Sequence, residues 1–414
     1  MQNRTNTQAA LPEETPAPSP IHTHGSPWLA VLSVSIGAFA LVTTEFLPVG
    51  LLPAIAAELG VTEGVAGMMV TVPGLVAALA AILVTVGIGK ADRRYVIWSL
   101  TGMLLLSNVL VALSQSFPVV LASRALLGIG VGGFWAIGPA LATRLVPAGS
   151  ETRATSLVFA GVSVGTVAGV PAGALVGELF GWRVAFHAGA AVALLVLLAQ
   201  MWLLPKLPAK QAITFRQLPE LLRVQKARLG MMITLLIFVG QFAAYTYITP
   251  FLVQEAALSA KTISMLLLAY GAAGFAGNLI GGAVVARSVR TSLIATGLIM
   301  GLSTAAMPLL GHGLWGATAL VVIWGIAFGM MPISVQTWIF QAAPHAMESG
   351  GAVFVATAQV ALASGALVGG MAVDHFGVSS AMLVGGVLAL AMALVTALRA
   401  REDGKSSVKL HAVH

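Results

Sequence analysis

Long apolar stretches alternate with short polar breaks along almost the whole chain. Twelve of them, at about 29–52, 66–88, 95–113, 118–143, 154–179, 184–204, 229–253, 262–285, 291–310, 315–342, 351–373 and 379–398, predict helices. Each is close to the ~20 apolar residues that a helix needs to cross the hydrocarbon core of a bilayer. Residues 1–27 break the pattern: they are polar and carry Pro12, Pro16, Pro18, Pro20 and Pro27. No basic segment leads into an apolar core and cleavage site there, so a disordered tail is expected rather than a signal peptide. The longest internal polar stretch, 205–228, follows the sixth helix and divides the chain into 28–204 and 229–398; residues 399–414 form a short polar tail. The expected fold class is an all-α membrane protein with twelve transmembrane helices in two pseudo-symmetric six-helix bundles.

Composition agrees with the pattern. Of 414 residues, 58% are hydrophobic and 8% charged, with a mean hydropathy of +0.95. A soluble domain is nearer ~25% charged and could not hide so much apolar surface from water. Cysteine is absent, which removes disulfides, thiolate metal sites and a cysteine nucleophile. Glycine is frequent, at 46 residues, and small residues let membrane helices approach closely.

The net charge of +7 and pI near 10.1 could point to nucleic acid. The placement of the basic residues points to topology instead. An even number of spans puts both termini on one side, and eighteen of the 21 Lys and Arg lie on that side, from Arg4 through Lys90, Arg144 and Lys206 to Lys409. The opposite side has Arg183 and Lys261, and Arg124 lies within a span. This bias places both termini and the central loop in the cytoplasm, with no nucleic-acid partner.

An internal repeat supports two halves. At a constant offset of 197, Gly128 meets Gly325, Gly132 meets Gly329, Pro147 meets Pro344, Glu151 meets Glu348 and Gly173 meets Gly370. Paired halves place a solute site between them, near the bilayer midplane.

Few ionisable residues sit deep in the apolar runs: Glu45 in the first helix, Arg124 in the fourth, His187 near the start of the sixth. A charge at the bilayer centre costs ~2.5–3.5 kcal/mol on the insertion scale. Burial penalises the charged form of a carboxyl, so Glu45 is the candidate proton carrier, against the alternative of a helix-packing hydrogen bond. Arg124 must find acceptors. It holds carbonyls, tunes Glu45, or snorkels to the interface. His187 reads as an interfacial or packing residue.

The fifth helix repeats glycine every four residues, at Gly161, Gly165, Gly169, Gly173 and Gly177, with Pro171 inside. This predicts a smooth ridge with a bent point, open to close packing and to sliding between halves. Trp135, Gln241, Tyr245, Asn278, Gln336, Trp338 and Gln359 are neutral amide and aromatic groups within spans. They suit a flat, polar, neutral ligand through stacking and hydrogen bonds, and each could equally be interhelical glue. Trp28, Trp182, Trp202 and Trp315 lie near span ends, as an aromatic belt would. No P-loop or HExxH occurs, and no paired histidine ligands or paired carboxylates lie within a span, so neither an enzyme, a metal site nor a cofactor is expected. Without a P-loop, ATP does not power transport directly, which leaves a proton gradient acting through Glu45 or passive flux.

Twelve spans with a central loop resemble the major facilitator superfamily, and several signatures resemble its drug:proton antiporter branch. Asp92, Arg93 and Arg94 follow the second helix as in the family's loop motif, although Ile88 stands where glycine is usual. Arg124-x-x-x-Gly128-x-Gly130-x-Gly132 matches the fourth-helix motif, and Gly165 to Gly173 with Pro171 resembles the antiporter motif of the fifth. Segments 44–52, 61–67, 91–96, 132–136, 144–147, 177–183, 240–250 and 337–339 are similar, in order and spacing, to bacterial purine ribonucleoside efflux pumps. The resemblance implies a monomeric inner-membrane antiporter exporting a neutral solute such as inosine or guanosine by alternating access. Glu45 and Arg124 would couple the proton, and Asp92, Arg93 and Arg94 would latch the cytoplasmic side.

Overall fold

The computed structural model describes residues 26–89, 91–208, 224–342 and 347–410. The described residues form twelve helices long and apolar enough to span a bilayer: α1 (Pro27–Leu59), α2 (Glu63–Val84), α3 (Arg93–Leu113), α4 (Phe117–Thr143), α5 (Glu151–Phe180), α6 (Trp182–Leu203), α7 (Gln225–Gln254), α8 (Ala260–Val285), α9 (Val289–Leu310), α10 (Gly313–Ala342), α11 (Phe354–Phe376) and α12 (Val378–Arg399). All twelve expected spans are present. The ends differ by several residues: α1 runs on to Leu59, α7 begins at Gln225, and the helix of α12 continues to Leu410. Most of the tail of residues 1–27 and most of the central loop lie outside the described residues.

Short polar caps set several starts. Ser26, Thr62, Asp92, Ser259 and Ser288 each accept a hydrogen bond from a backbone N–H in the first turn, satisfying a donor that the helix leaves unpaired. Gly60 ends α1 in the left-handed region, at φ 64°, a conformation that costs glycine little.

Proline interrupts the hydrogen-bond ladder where the chain bends. Pro171 has no N–H to offer, and its ring crowds the carbonyl four residues back. α5 absorbs this with one π-helical turn, Gly165–Gly169, in which the Val170 N–H reaches the Gly165 carbonyl. α7 breaks at Thr246–Tyr247, between helical segments Gln225–Tyr245 and Ile248–Gln254; Pro250 cannot donate to the Thr246 carbonyl.

In the first half α2 packs on α4, α3 on α4 and α6, and α1 on α5 and α6. In the second, α8 packs on α10, α9 on α10 and α12, and α7 on α11 and α12. The repeat at offset 197 holds at the level of contacts. Gly128 and Gly132 bring α4 against the Pro73 and Ala77 carbonyls of α2; Gly325 and Gly329 bring α10 against the Tyr270 and Gly274 carbonyls of α8. Each of those partners is also 197 residues from its counterpart. Pro344 and Glu348 belong to stretches whose side chains are not described.

The glycine ridge of α5 faces inward within its own half. Gly161, Gly165, Gly169, Gly173 and Gly177 meet Ser35, Phe39, Thr43, Leu47 and Leu51 of α1 in strict register. It is a packing surface for α1, not the sliding surface between halves. The contact with α8 of the second half is made by the π-helical turn, where Val167 meets Gly271, and by the segment Val170–Phe180 that follows it. The belt expectation also needs correcting at Trp182, which is buried and donates to Glu58 Oε2; Trp202 and Trp315 are exposed.

Candidate functional site

Glu45 lies in the middle of α1 and is 3% exposed. Gln359 Nε2, from α11, donates to Glu45 Oε1 at 3.5 Å. One residue on, the Phe46 ring stacks on Phe242 of α7, with centroids 5.5 Å apart and planes 9° apart. Both contacts cross between the halves.

Arg124 is fully buried and makes three hydrogen bonds, all to main-chain carbonyls: Nε to Met69 at 2.8 Å, Nη1 to Thr44 at 2.8 Å and Nη2 to Glu45 at 2.7 Å. Two of these acceptors have a specific origin. Pro48 in α1 removes the N–H that would bond the Thr44 carbonyl, and Pro73 in α2 does the same to the Met69 carbonyl; both carbonyls lie four residues before a proline. A buried carbonyl without a donor is costly, and the guanidinium supplies donors in a fixed fork. Of the readings open to Arg124, the geometry is that of a carbonyl clamp. It ties α1 and α2 to α4 at the depth of Glu45 and bonds that residue's main chain rather than its carboxylate. Asn108 of α3 adds a further tie, donating to Thr44 Oγ1 at 3.1 Å.

The second half holds an aromatic assembly instead. Gln241 is fully buried. Trp324 Nε1 donates to its Oε1 at 2.8 Å, and its Nε2 donates to the Tyr270 hydroxyl at 2.7 Å. The indole is a donor only, so it fixes which way the amide points. Tyr245 stacks on Tyr270 at 5.0 Å and on Phe328 at 6.3 Å, and meets Trp324 edge-on. Phe46 reaches the edge of Tyr245 from the first half.

On the side of the termini a cavity of about 760 Å³ lies between α5 and α8, with Thr152, Ser156, Phe159, Ser163 and Asn278 in its wall. Trp135 packs on Phe159, behind that wall. The halves touch along α1–α7, α2–α11 and α5–α8, and Gly74 of α2 packs against Ala363 of α11.

The expected site residues fall into three groups, with others lying outside them. Glu45 and Gln359 meet each other, with Arg124 clamped beside them. Gln241 and Tyr245 join the aromatic assembly. Asn278 belongs to the cavity wall, and Trp135 packs on Phe159 behind it. Trp338 donates to the Lys226 carbonyl, at the far end of α7 from Tyr245, and Gln336 is half-buried on α10, outside these three groups. Asp92, Arg93 and Arg94 hold their own half: Asp92 Oδ1 accepts from the Arg94 and Leu207 N–H groups, and the Arg93 N–H donates to the Leu207 carbonyl. They bind the start of the central loop onto the first half. Arg94 lies over the Tyr95 and Trp98 rings. His187 is exposed on α6. Among the described residues no cluster of His, Cys, Asp or Glu could hold a metal ion.

Sequence reasoning missed Tyr270, Trp324 and Phe328, which carry no motif. It also missed the cavity stripe on α5. Residues 152, 156, 159 and 163 follow helical spacing on the face opposite the glycine ridge, a signal that was present in the pattern.

Two packed groups of helices, a buried carboxyl bridged between them and a cavity at their junction define a membrane transporter. The Major Facilitator Superfamily model matches residues 34–366, and the chain belongs to that superfamily. The purine ribonucleoside efflux pump NepI of Escherichia coli O6:K15:H31 (strain 536 / UPEC) is 37% identical over 374 residues, covering 90% of this chain and 94% of that protein. NepI of Salmonella paratyphi A (strain ATCC 9150 / SARB42) is similar to the same extent. Among solved structures, a bacterial homologue of the human lysosomal transporter Spinster, in an inward-facing and occupied conformation, has a TM-score of 0.72 at 17% identity, covering 90% of this chain and 96% of that one.

Proposed function

We propose that this protein exports purine ribonucleosides across a bacterial inner membrane in exchange for protons, by alternating access of two six-helix bundles (28–204 and 229–398) with both termini in the cytoplasm. The observation that carries the reading is the Gln359–Glu45 hydrogen bond across the halves, beside the Phe46–Phe242 stack. A proton on Glu45 changes what that carboxyl can accept, and parting of the halves removes the amide; proton occupancy and conformation are thereby linked. Arg124 sets the position of Glu45 through its main chain. The nucleoside identity is supported by the 37% identity to NepI pumps. It is further supported by chemistry: hydroxyl and amide groups at Thr152, Ser156, Ser163 and Asn278 for a sugar, and aromatic faces for a base.

Everted vesicles with an acid interior and a pH-sensitive dye test this directly. Adding inosine releases protons from the wild type, and Glu45→Gln lowers the release at least tenfold while exchange of labelled inosine for unlabelled continues. Proton release on arabinose or a cationic drug, with none on inosine, overturns the solute. Proton release by Glu45→Gln equal to wild type overturns the role of Glu45.

A further inference from the structure

On the side away from the termini, three side chains that the transport reading does not use join the two halves. Asp374, at the end of α11, accepts at Oδ2 from the Thr62 hydroxyl at 2.8 Å and at Oδ1 from the Gly64 N–H at 3.0 Å. Both donors belong to the start of α2, so each carboxylate oxygen is used once and both bonds cross the halves. Gln254 of α7 donates to both oxygens of Glu63, at 2.9 and 3.0 Å. The Tyr247 hydroxyl donates to the Ala366 carbonyl at 2.8 Å and lies 3.4 Å from the Gly64 carbonyl. Its ring fills a slot that glycine leaves open on both sides: a Cβ at Gly67 of α2 or at Gly369 or Gly370 of α11 would collide with it.

We propose that Asp374 is a positioning residue for transport. By capping the start of α2 it holds the far side shut, and so favours the state in which the α5–α8 cavity faces the termini. The break in α7 serves this arrangement, because it turns Tyr247 into the junction of α2 and α11. Asp374→Ala removes both acceptor oxygens, which the Thr62 hydroxyl and the Gly64 N–H use. Asp374 is itself exposed, so the substitution disturbs no core packing.

The absence of cysteine allows a direct test. Val70→Cys reports on the far-side seam, since Val70 is fully buried there among residues of the second half. Ala160→Cys reports on the cavity. Each is labelled with a membrane-impermeant maleimide, the seam thiol in intact cells and the cavity thiol in everted vesicles. Adding Asp374→Ala speeds labelling of the seam thiol about fivefold and slows labelling of the cavity thiol; Thr62→Val shifts both rates in the same directions by less, because one bond remains. An unchanged rate at the seam overturns the proposal. So does a rise at both positions, which is general loosening rather than a shift between two states. The labelling needs no solute, so its failure is distinct from failure of the nucleoside reading.

Discussion

The two halves share a scaffold and differ in what fills it. Gly128 and Gly132 seat α4 on α2 as Gly325 and Gly329 seat α10 on α8. At the same offset of 197, Phe242 stands where the first half has Glu45, and Val321 where it has Arg124. Likewise Gln241 takes the place of Thr44, Tyr270 of Pro73 and Trp324 of Leu127. The first half thus carries the buried charges. The second carries a neutral amide ringed by aromatics. The difference teaches that close helix packing is decided by small residues on one face of each helix, while the chemistry of the interior is free to diverge on the others.

The largest effect is expected from the clamp that only the first half has. Arg124→Leu leaves the two proline-freed carbonyls, of Thr44 and Met69, without a donor, at about 1–3 kcal/mol each, and the folded fraction in fluorescence-detected size exclusion should fall sharply. Adding Pro48→Ala and Pro73→Ala supplies main-chain N–H donors for Thr44 and Met69, and should recover part of the loss. No recovery would mean that the arginine acts through something other than the proline-freed carbonyls.

The shared scaffold gives the next effect. Gly132→Ala and Gly329→Ala each drive a Cβ into helix backbone, which cannot give as a side-chain tip would. Both should destabilise by about 1–3 kcal/mol, and by similar amounts in thermal melts. A large effect in one half alone would break the equivalence.

The aromatic half predicts a smaller change. Gln241→Leu strands the Trp324 N–H and the Tyr270 hydroxyl, at about 1–3 kcal/mol, whereas a triple Gln241→Leu, Trp324→Phe, Tyr270→Phe variant removes all three polar partners and should be closer to wild type. Melting temperatures that fall further in the triple variant would show that the rings, not the hydrogen bonds, dominate.

The smallest effect is at His312, between α9 and α10. Its ring nitrogens meet the Glu255 and Pro308 carbonyls at 3.2 and 2.8 Å. These two acceptors raise its pKa above the ordinary 6.5, outweighing desolvation, because only imidazolium donates from both nitrogens. The folded value lies above the unfolded one, so the contribution is complete below about pH 6.5 and fades as pH rises through the folded value. Melting scans at pH 6 and 9 should show a loss that His312→Phe lacks.

Much of the site was legible in the residues, for physical reasons. Glu45 and Arg124 stand out because a charge in an apolar run needs a reason. Pro48 and Pro73 mark the carbonyls that Arg124 serves, although nothing local says that the two freed carbonyls meet. Gln359 and Glu45 are 314 residues apart and Thr62 and Asp374 are 312 apart; no periodicity connects such pairs. Asp92, Arg93 and Arg94 read as a latch by resemblance, and nothing local says that Asp92 and the Arg93 N–H meet Leu207.

The sequence by itself determined the twelve spans, their two-fold division and the polar residues that needed partners, because hydropathy, proline and glycine act within a few residues of where they stand. Tertiary structure alone decided who the partners are. It turned the α5 glycine ridge onto α1, enclosed Gln241 between Trp324 and Tyr270, and closed the far side with Asp374. Each of those outcomes depends on which helices meet and at what height, and that is fixed only when all twelve have packed together.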